Sequence, residues 1–349
     1  MLSMGSLFMD YLIGPKIGQG AFGEIYLAID TKTGLLWAIK TENSEAKRKT
    51  LEFEYQVLAQ IQSSPHFPRL GTFGKCSAFS FYSMEILGPS ISNILKLIHD
   101  NRFSFSTTIR TIYHMLKCIE SFHIFGLIHR DIKPGNILTR EGHEHPLCLV
   151  DFGLSHVYID PNTGKILPPR KRLGFRGTKV YASIYAHQNE DLGRRDDLLS
   201  WFYVSMELLV GSLPWRGKAD KYEILQMKLN YNVQEAIGNR VPELVSIYNL
   251  LSRLSFADTP NYAQIYQLLD TAMKRNHISM DDPYDWSDIL HSQRQKTAHA
   301  LENLTIKYKL TSVKADKALN DITLHTPLLP HISAAAPFSQ ADDDSACCC

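Results

Sequence analysis

The chain has 349 residues, with 37 Lys and Arg against 36 Asp and Glu, and a formal net charge of +1. That balance excludes binding of nucleic acid or of an anionic membrane through bulk charge alone. Apolar and charged shares of 44% and 21% exclude a disordered or fibrous chain, and the length allows one large domain or two lobes. In chain order, residues 1–10 read as an N-terminal extension and residues 11–40 as strands. Ile25, Leu27 and Ile29 alternate with Glu24, Tyr26, Ala28 and Asp30, a half-buried strand ending at the turn Thr31-Lys32-Thr33-Gly34. Leu35 to Lys40 returns antiparallel to it.

Leu51, Glu54, Leu58 and Ile61 then fall at i, i+3, i+7 and i+10, which sets a carboxylate inside the apolar stripe of a helix. A buried carboxylate needs a cation. The helix stops around Pro65 and Pro68, and Phe79 to Leu87 predicts a strand leading into the turn Gly88-Pro89-Ser90. Ile109, Ile112, Leu116, Ile119 and His123 line one face of a helix running up to Gly126, and helical patterning persists to about Met273. A strand-rich lobe of about 85 residues thus precedes a helix-rich lobe, and two lobes make one cleft. Pro283-Tyr284-Asp285-Trp286 closes the folded region.

Three segments carry chemistry. Gly18-Gln19-Gly20-Ala21-Phe22-Gly23 matches GxGxxG, which by itself fits a plain turn, a dinucleotide-binding fold or a hairpin whose N–H groups cradle phosphates. A dinucleotide-dependent oxidoreductase would need the third glycine to open a helix, and here a strand follows. Lys40, on the return strand, is the candidate to hold nucleotide phosphates, with Glu54 as its counter-charge. The decisive segment is His129-Arg130-Asp131-Ile132-Lys133-Pro134-Gly135-Asn136, followed fifteen residues after Asn136 by Asp151-Phe152-Gly153.

With all these parts in order, the chain resembles the protein kinases over about residues 11–290. The resemblance implies an α+β fold with a small β-rich N-lobe (11–87) and a larger helical C-lobe (88–295), and a nucleotide cleft between them. It implies ATP and Mg²⁺ as cofactors and protein substrates with Ser or Thr acceptors. Phosphoryl transfer is mostly alignment and charge neutralisation. By resemblance, Asp131 orients the acceptor hydroxyl and Lys133 stabilises the transferring phosphate. Asn136 and Asp151 supply hard oxygens for Mg²⁺. Ile17 to Gly23 cover the phosphates, Met84 is the gatekeeper, and backbone groups of Glu85 and Leu87 hold the adenine between Ile25, Ala38 and Leu138. Asp197 braces the catalytic loop. Lysine two residues after Asp131 is the serine/threonine form. A pseudokinase scaffold is the alternative, disfavoured because Lys40, Glu54, Asp131, Asn136 and Asp151 are all present.

Met84-Glu85-Ile86-Leu87-Gly88-Pro89-Ser90, Gly177-Thr178-Lys179-Val180-Tyr181-Ala182-Ser183, Arg194-Arg195-Asp196-Asp197 and Gly211-Ser212-Leu213-Pro214-Trp215 resemble the casein kinase I superfamily. Phe175-Arg176-Gly177-Thr178, His187 and Pro214-Trp215-Arg216 look closest to its tau-tubulin kinase branch. Between Pro161 and Asn189 stand six basic residues, Lys165, Arg170, Lys171, Arg172, Arg176 and Lys179, and no acidic one. A solvated basic loop is one reading; an anion site using Arg176 and Lys179, favouring acidic or phosphorylated substrates, is the sharper one. Where the superfamily has arginine before Tyr-Ala-Ser, this chain has Val180.

Residues 296–349 read as a tail, with an amphipathic helix around Leu301 to Leu319 and then no packed core. It ends in Cys347, Cys348 and Cys349, which do not form a CaaX box but suit palmitate or paired prenyl groups; membrane association is expected only if they are lipidated. Cys76, Cys118 and Cys148 lack metal-ligand spacing and suit a reducing compartment. The start of the chain shows neither a secretory pattern nor a myristoylation glycine, and Trp201 to Val210 is too short to span a membrane. The expectation is a cytoplasmic monomer.

Overall fold

The structure is a computed structural model that describes residues 2–19, 23–140, 142–171 and 173–292. Its first part is a six-stranded antiparallel sheet in the order β1-β2-β3-β4-β6-β5. The strands are β1 (Leu7–Phe8), β2 (Tyr11–Gln19), β3 (Glu24–Asp30), β4 (Leu36–Asn43), β5 (Leu70–Lys75) and β6 (Phe79–Glu85), with helix α1 (Leu51–Gln60) inserted between β4 and β5. The expected hairpin is β3 and β4, in register Ile25↔Lys40 to Ile29↔Leu36. Two strands were not expected. β1 pairs Leu7 with Leu12 and Phe8 with Tyr11, and Phe8 packs edge-on to Phe81, so part of the 1–10 extension belongs to the sheet. β5, with the sequence Leu-Gly-Thr-Phe-Gly-Lys, has little strand propensity of its own and is held by its ladder with β6.

The second part is helical: α2 (Ile91–Leu95), α3 (Phe105–Ile124), α4 (Ile184–His187), α5 (Arg194–Val210), α6 (Lys221–Leu229), α7 (Val233–Ile237), α8 (Pro242–Leu251) and α9 (Tyr262–Arg275), with short strands β7 (Leu127–Ile128), β8 (Ile137–Thr139), β9 (Leu147–Leu149) and β10 (His156–Val157). Every residue of α5 from Arg194 to Leu209 is buried, so this helix is the axis of the lobe, with α3 packed along it and the Trp201 indole N–H donating to the Ile112 carbonyl at 2.9 Å. Helix α3 starts at Ser104, whose hydroxyl accepts from the Thr107 N–H at 3.2 Å and donates to Asp285 at 2.8 Å. Arg110 lies over the Tyr284 ring, which stacks on Trp286. The expected closing segment therefore seals the first turn of α3.

One main core cluster runs through both lobes, from Ala38, Leu58 and Met84 to Leu116, Phe152 and Trp201. Burying each large aliphatic, Met or Phe side chain of it stabilises the fold by about 1.5–3 kcal/mol. Among the described residues no helix is long and apolar enough to cross a membrane. The tail expectations, the helix around Leu301 to Leu319 and Cys347, Cys348 and Cys349, lie outside the described residues, as do Gly20, Ala21, Phe22 and Arg172.

Candidate active site

Strand β4 carries Lys40 between Ile25 on β3 and Tyr82 on β6. Its Nζ reaches Glu54 Oε2 at 2.5 Å and Asp151 Oδ1 at 3.4 Å. Glu54, the carboxylate in the apolar stripe of α1, is buried and also accepts from the Tyr82 hydroxyl at 3.2 Å. Burial alone would depress the Lys40 ammonium, but the groups around it, Glu54 foremost, hold it well above the usual lysine range. A fixed cation thus joins the sheet, α1 and the start of the Asp151-Phe152-Gly153 segment.

The catalytic-loop residues converge on Asp131. Lys133 Nζ lies 2.5 Å from its Oδ2, the Thr178 hydroxyl donates to Oδ1 at 2.7 Å, and Asn136 Nδ2 donates to its backbone carbonyl at 3.0 Å. Beneath the loop, buried Asp197 accepts from the N–H groups of His129 (2.7 Å) and Arg130 (2.8 Å) and pairs with His123 Nε2 (3.0 Å). Burial would raise its pKa; the His123 hydrogen bond and the other contacts outweigh this and hold it below the ordinary aspartate value. Arg130, with φ +66°, turns its guanidinium to the Leu154 and Ser155 carbonyls at 2.6 and 3.2 Å. The loop is thereby fixed to the segment that follows Asp151.

Asp151 also has a left-handed backbone, φ +70°. Burial would raise its carboxyl, but Lys40, then His129 and Lys133, keep it below the usual carboxylate range. Phe152 is 1% exposed. Its ring stacks on Phe122 (5.4 Å between centroids) and meets Phe67 and His129 edge-on at 6.0 and 5.8 Å. The ring is seated deep in the core while its neighbour's carboxylate faces Lys40. Asp151 and Asn136 fit a hard divalent cation: one is an ionised carboxylate, and the other, with Nδ2 committed to Asp131, has its amide oxygen left as a ligand atom.

The remaining expected nucleotide residues lie on or beside the strands of the sheet and on β8. Ile17, Gly18 and Gln19 lie on β2, and Gly23 immediately precedes β3. A Cβ at Gly23 would stand 1.6 Å from the Thr41 carbonyl oxygen, so only glycine lets these strands meet. Met84 is buried opposite Ala38 on β4; Ile25 packs against the same cluster, and Leu138 lies on β8, bridged to Ser90. The Glu85 N–H donates to the Arg69 carbonyl at 2.8 Å. Its side chain, whose role the sequence did not reveal, accepts from Arg140 at 2.8 Å. Leu87 precedes Gly88, whose N–H donates to the Thr139 carbonyl at 2.8 Å.

The basic stretch is less free than its sequence suggests. Arg170 forms a two-pronged pair with Asp191 (2.8 and 3.0 Å), and Lys179 Nζ donates to the Ala219 carbonyl at 3.1 Å. Arg176 lines a small recess with Arg130, Gly174, Glu190 and Asp191. There, burial together with the charges of Arg176 and Arg170 pulls the Arg130 guanidinium below its usual value. A hairpin bridged at Ile159 and Ile166 shapes the segment before it.

Thr178, Arg140 and Tyr82 are site residues that sequence reasoning did not assign. Their partners lie 47, 55 and 28 positions away, and no local pattern marks them, although Thr178 stands in the motif beside Gly177.

A family model described as "Protein kinase domain" matches residues 11–278. A relative from Dictyostelium discoideum, described as a "Probable serine/threonine-protein kinase", is 36% identical over 285 residues, which is 81% of this chain and 57% of that protein. The match therefore takes in little more than half of the relative's own length. Joined to the two-lobed fold and the grouping of Lys40, Glu54, Asp131, Asn136 and Asp151, this places the chain in the protein kinase domain family.

Proposed function

We propose that the chain is a serine/threonine protein kinase that moves the γ-phosphate of ATP to Ser or Thr hydroxyls of protein substrates. The observation that carries this reading is the assembled arrangement of Lys40: on Glu54 at 2.5 Å and facing Asp151 at 3.4 Å, which is the geometry phosphoryl transfer demands of a kinase. Lys40 neutralises phosphate charge and Glu54 keeps it aimed. Asp131 accepts the proton of the acceptor hydroxyl, and Lys133 and Thr178 fix its carboxylate for that task. Mg²⁺, when bound at Asn136 and Asp151, would offset the charge of the nucleotide phosphates. The name of the Dictyostelium relative and the Lys133–Asp131 pair support serine and threonine as acceptors.

The motifs around Met84, Gly177, Asp197 and Trp215 support membership of the casein kinase I superfamily, nearest its tau-tubulin kinase branch. For substrate context, Arg176 beside Arg130 and Lys179, whose ammonium rests on the Ala219 carbonyl, are the candidate anion groups. Transfer from labelled ATP to a positional-scanning peptide library, with Asp131→Asn as the blank, tests both points. Phosphate in Ser and Thr peptides with enrichment of Asp, Glu or phosphoserine supports the whole reading. Transfer without that enrichment removes the anion site, and no transfer above the blank leaves a pseudokinase.

A further inference from the structure

Residues 178–183 form a turn in which the Thr178 carbonyl takes the Tyr181 and Ala182 N–H groups and the Ser183 carbonyl takes the His187 N–H of α4, whereas the carbonyls of Lys179, Val180 and Ala182 are met by side chains. The Val180 carbonyl takes the Trp215 indole N–H at 2.8 Å. The Lys179 and Ala182 carbonyls both take Lys228 Nζ, at 3.0 and 2.5 Å. His187 Nε2 also lies 3.1 Å from the Lys179 carbonyl and 3.3 Å from Lys228 Nζ. The segment begins at Thr178, whose hydroxyl is on Asp131. Whatever holds residues 179–182 therefore sets the surface bordering the reacting carboxylate.

Lys228 belongs to α6, is 1% exposed, and among the described residues forms no ion pair with a carboxylate. Its remaining surroundings are His187 Nε2 at 3.3 Å and the faces of Tyr203 and Trp215, with Nζ 4.7 and 5.3 Å from the ring centroids. Burial pushes its ammonium down to about 7, and burial followed by the Lys228 charge pushes His187 to about 4. An apolar side chain of the same length would fill this cage without the cost of desolvating an ammonium. What only the lysine provides is donors for the two carbonyls, plus a cation the rings can face.

We propose that Lys228 is a positioning residue for the phosphate acceptor: it pins residues 179–182 into the platform on which the substrate peptide lies beside Asp131. The inference rests on the kinase reading for its kinetic consequence, and on hydrogen bonds alone for its structural one. Lys228 reaches the reaction only through that backbone, so its removal weakens peptide binding and spares the nucleotide.

The test uses the full chain as wild type, Lys228→Met and Lys228→Gln, with ATP and the best peptide of the library. In Lys228→Met the peptide KM rises about 10-fold, as for loss of charged hydrogen bonds that act on binding alone, with the ATP KM unchanged. Amide hydrogen exchange in 178–186 speeds up in the same variant. Lys228→Gln keeps two N–H donors on a shorter arm and falls between the two. An unchanged peptide KM, or peptide and ATP constants that worsen together, overturns the proposal. If Lys228→Met does not fold, Lys228→Gln decides by the same readings. If the wild type transfers no phosphate, the kinase reading fails, and exchange over 178–186 alone decides this one: wild-type protection in the folded variants overturns it.

Discussion

Arg130 and Asp151 hold φ angles of +66° and +70°, a region that side-chain-bearing residues enter at a cost of about 1–3 kcal/mol each. Both are over-determined: Asp197 accepts the Arg130 N–H, and Lys40 faces the Asp151 carboxylate. On the proposed kinase reading, strain here keeps the reacting groups in place before substrate arrives. Asp131→Asn preserves shape and removes the proposed proton acceptor, so kcat falls by about 10²–10⁴-fold with ATP affinity unchanged; steady-state rates and nucleotide titration check it. Thiol chemistry gives a second residue-scale expectation. Burial pushes Cys118 up to about 12 and Cys148 well above the ordinary thiol value, whereas Cys76 is exposed. With iodoacetamide at neutral pH, mass spectrometry finds Cys76 alkylated and Cys118 and Cys148 alkylated only after denaturation. Glu54 and Lys228 show what sequence reveals at this scale. Glu54 interrupts a regular apolar stripe and so announces a buried charge. Lys228 follows Ile224 at i+4 on the buried face of α6 and could have been noticed the same way, but its partners are backbone carbonyls, which have no sequence signature.

At the scale of elements, the catalytic loop and the segment after Gly177 touch at one place. Gly177 has φ +90°, and a Cβ there would stand 2.6 Å from the Arg130 carbonyl oxygen. Gly177→Ala therefore pushes Thr178 off Asp131. The expected result is about a 10²-fold loss of phosphate transfer, as for a misplaced reacting group, with fluorescent-nucleotide binding unchanged. Most elements were legible because each follows its own periodicity: the β3–β4 hairpin, α1, β6 and α3 all stand where their patterns put them. β5 was not, since its glycines carry no strand preference and only the ladder to β6 makes it a strand. β1 was missed for a related reason, being two residues long and defined by its partner Tyr11.

Across the whole molecule, Arg140 ties the lobes together. From the β8–β9 connection its guanidinium donates to the Pro65 and Phe67 carbonyls at 2.5 and 3.0 Å and to Glu85 at 2.8 Å. Arg140→Met leaves a buried carboxylate and two carbonyls without that donor. The expected loss is about 3–5 kcal/mol of unfolding free energy, read by urea denaturation. Double substitution with Glu85→Gln recovers part of that loss, because the buried charge then left with only Arg69 as partner is gone. The two-lobed plan was legible from the shift of strand to helix patterning near residue 88, but this tie was not, because it joins three segments that are remote in sequence.

The seat of Phe152 bears on inhibitors. Its ring fills the space between Phe67 and Phe122, and swinging it out would empty a cavity of aromatic size at a cost of about 3–5 kcal/mol. A compound that requires the vacated seat meets only a minor conformer, and its apparent affinity is weakened by that conformer's scarcity, about 10²–10⁴-fold. A compound confined to the space above Met84 suffers no such loss. Selective ligands for this chain are therefore to be sought among those that leave the aromatic column intact.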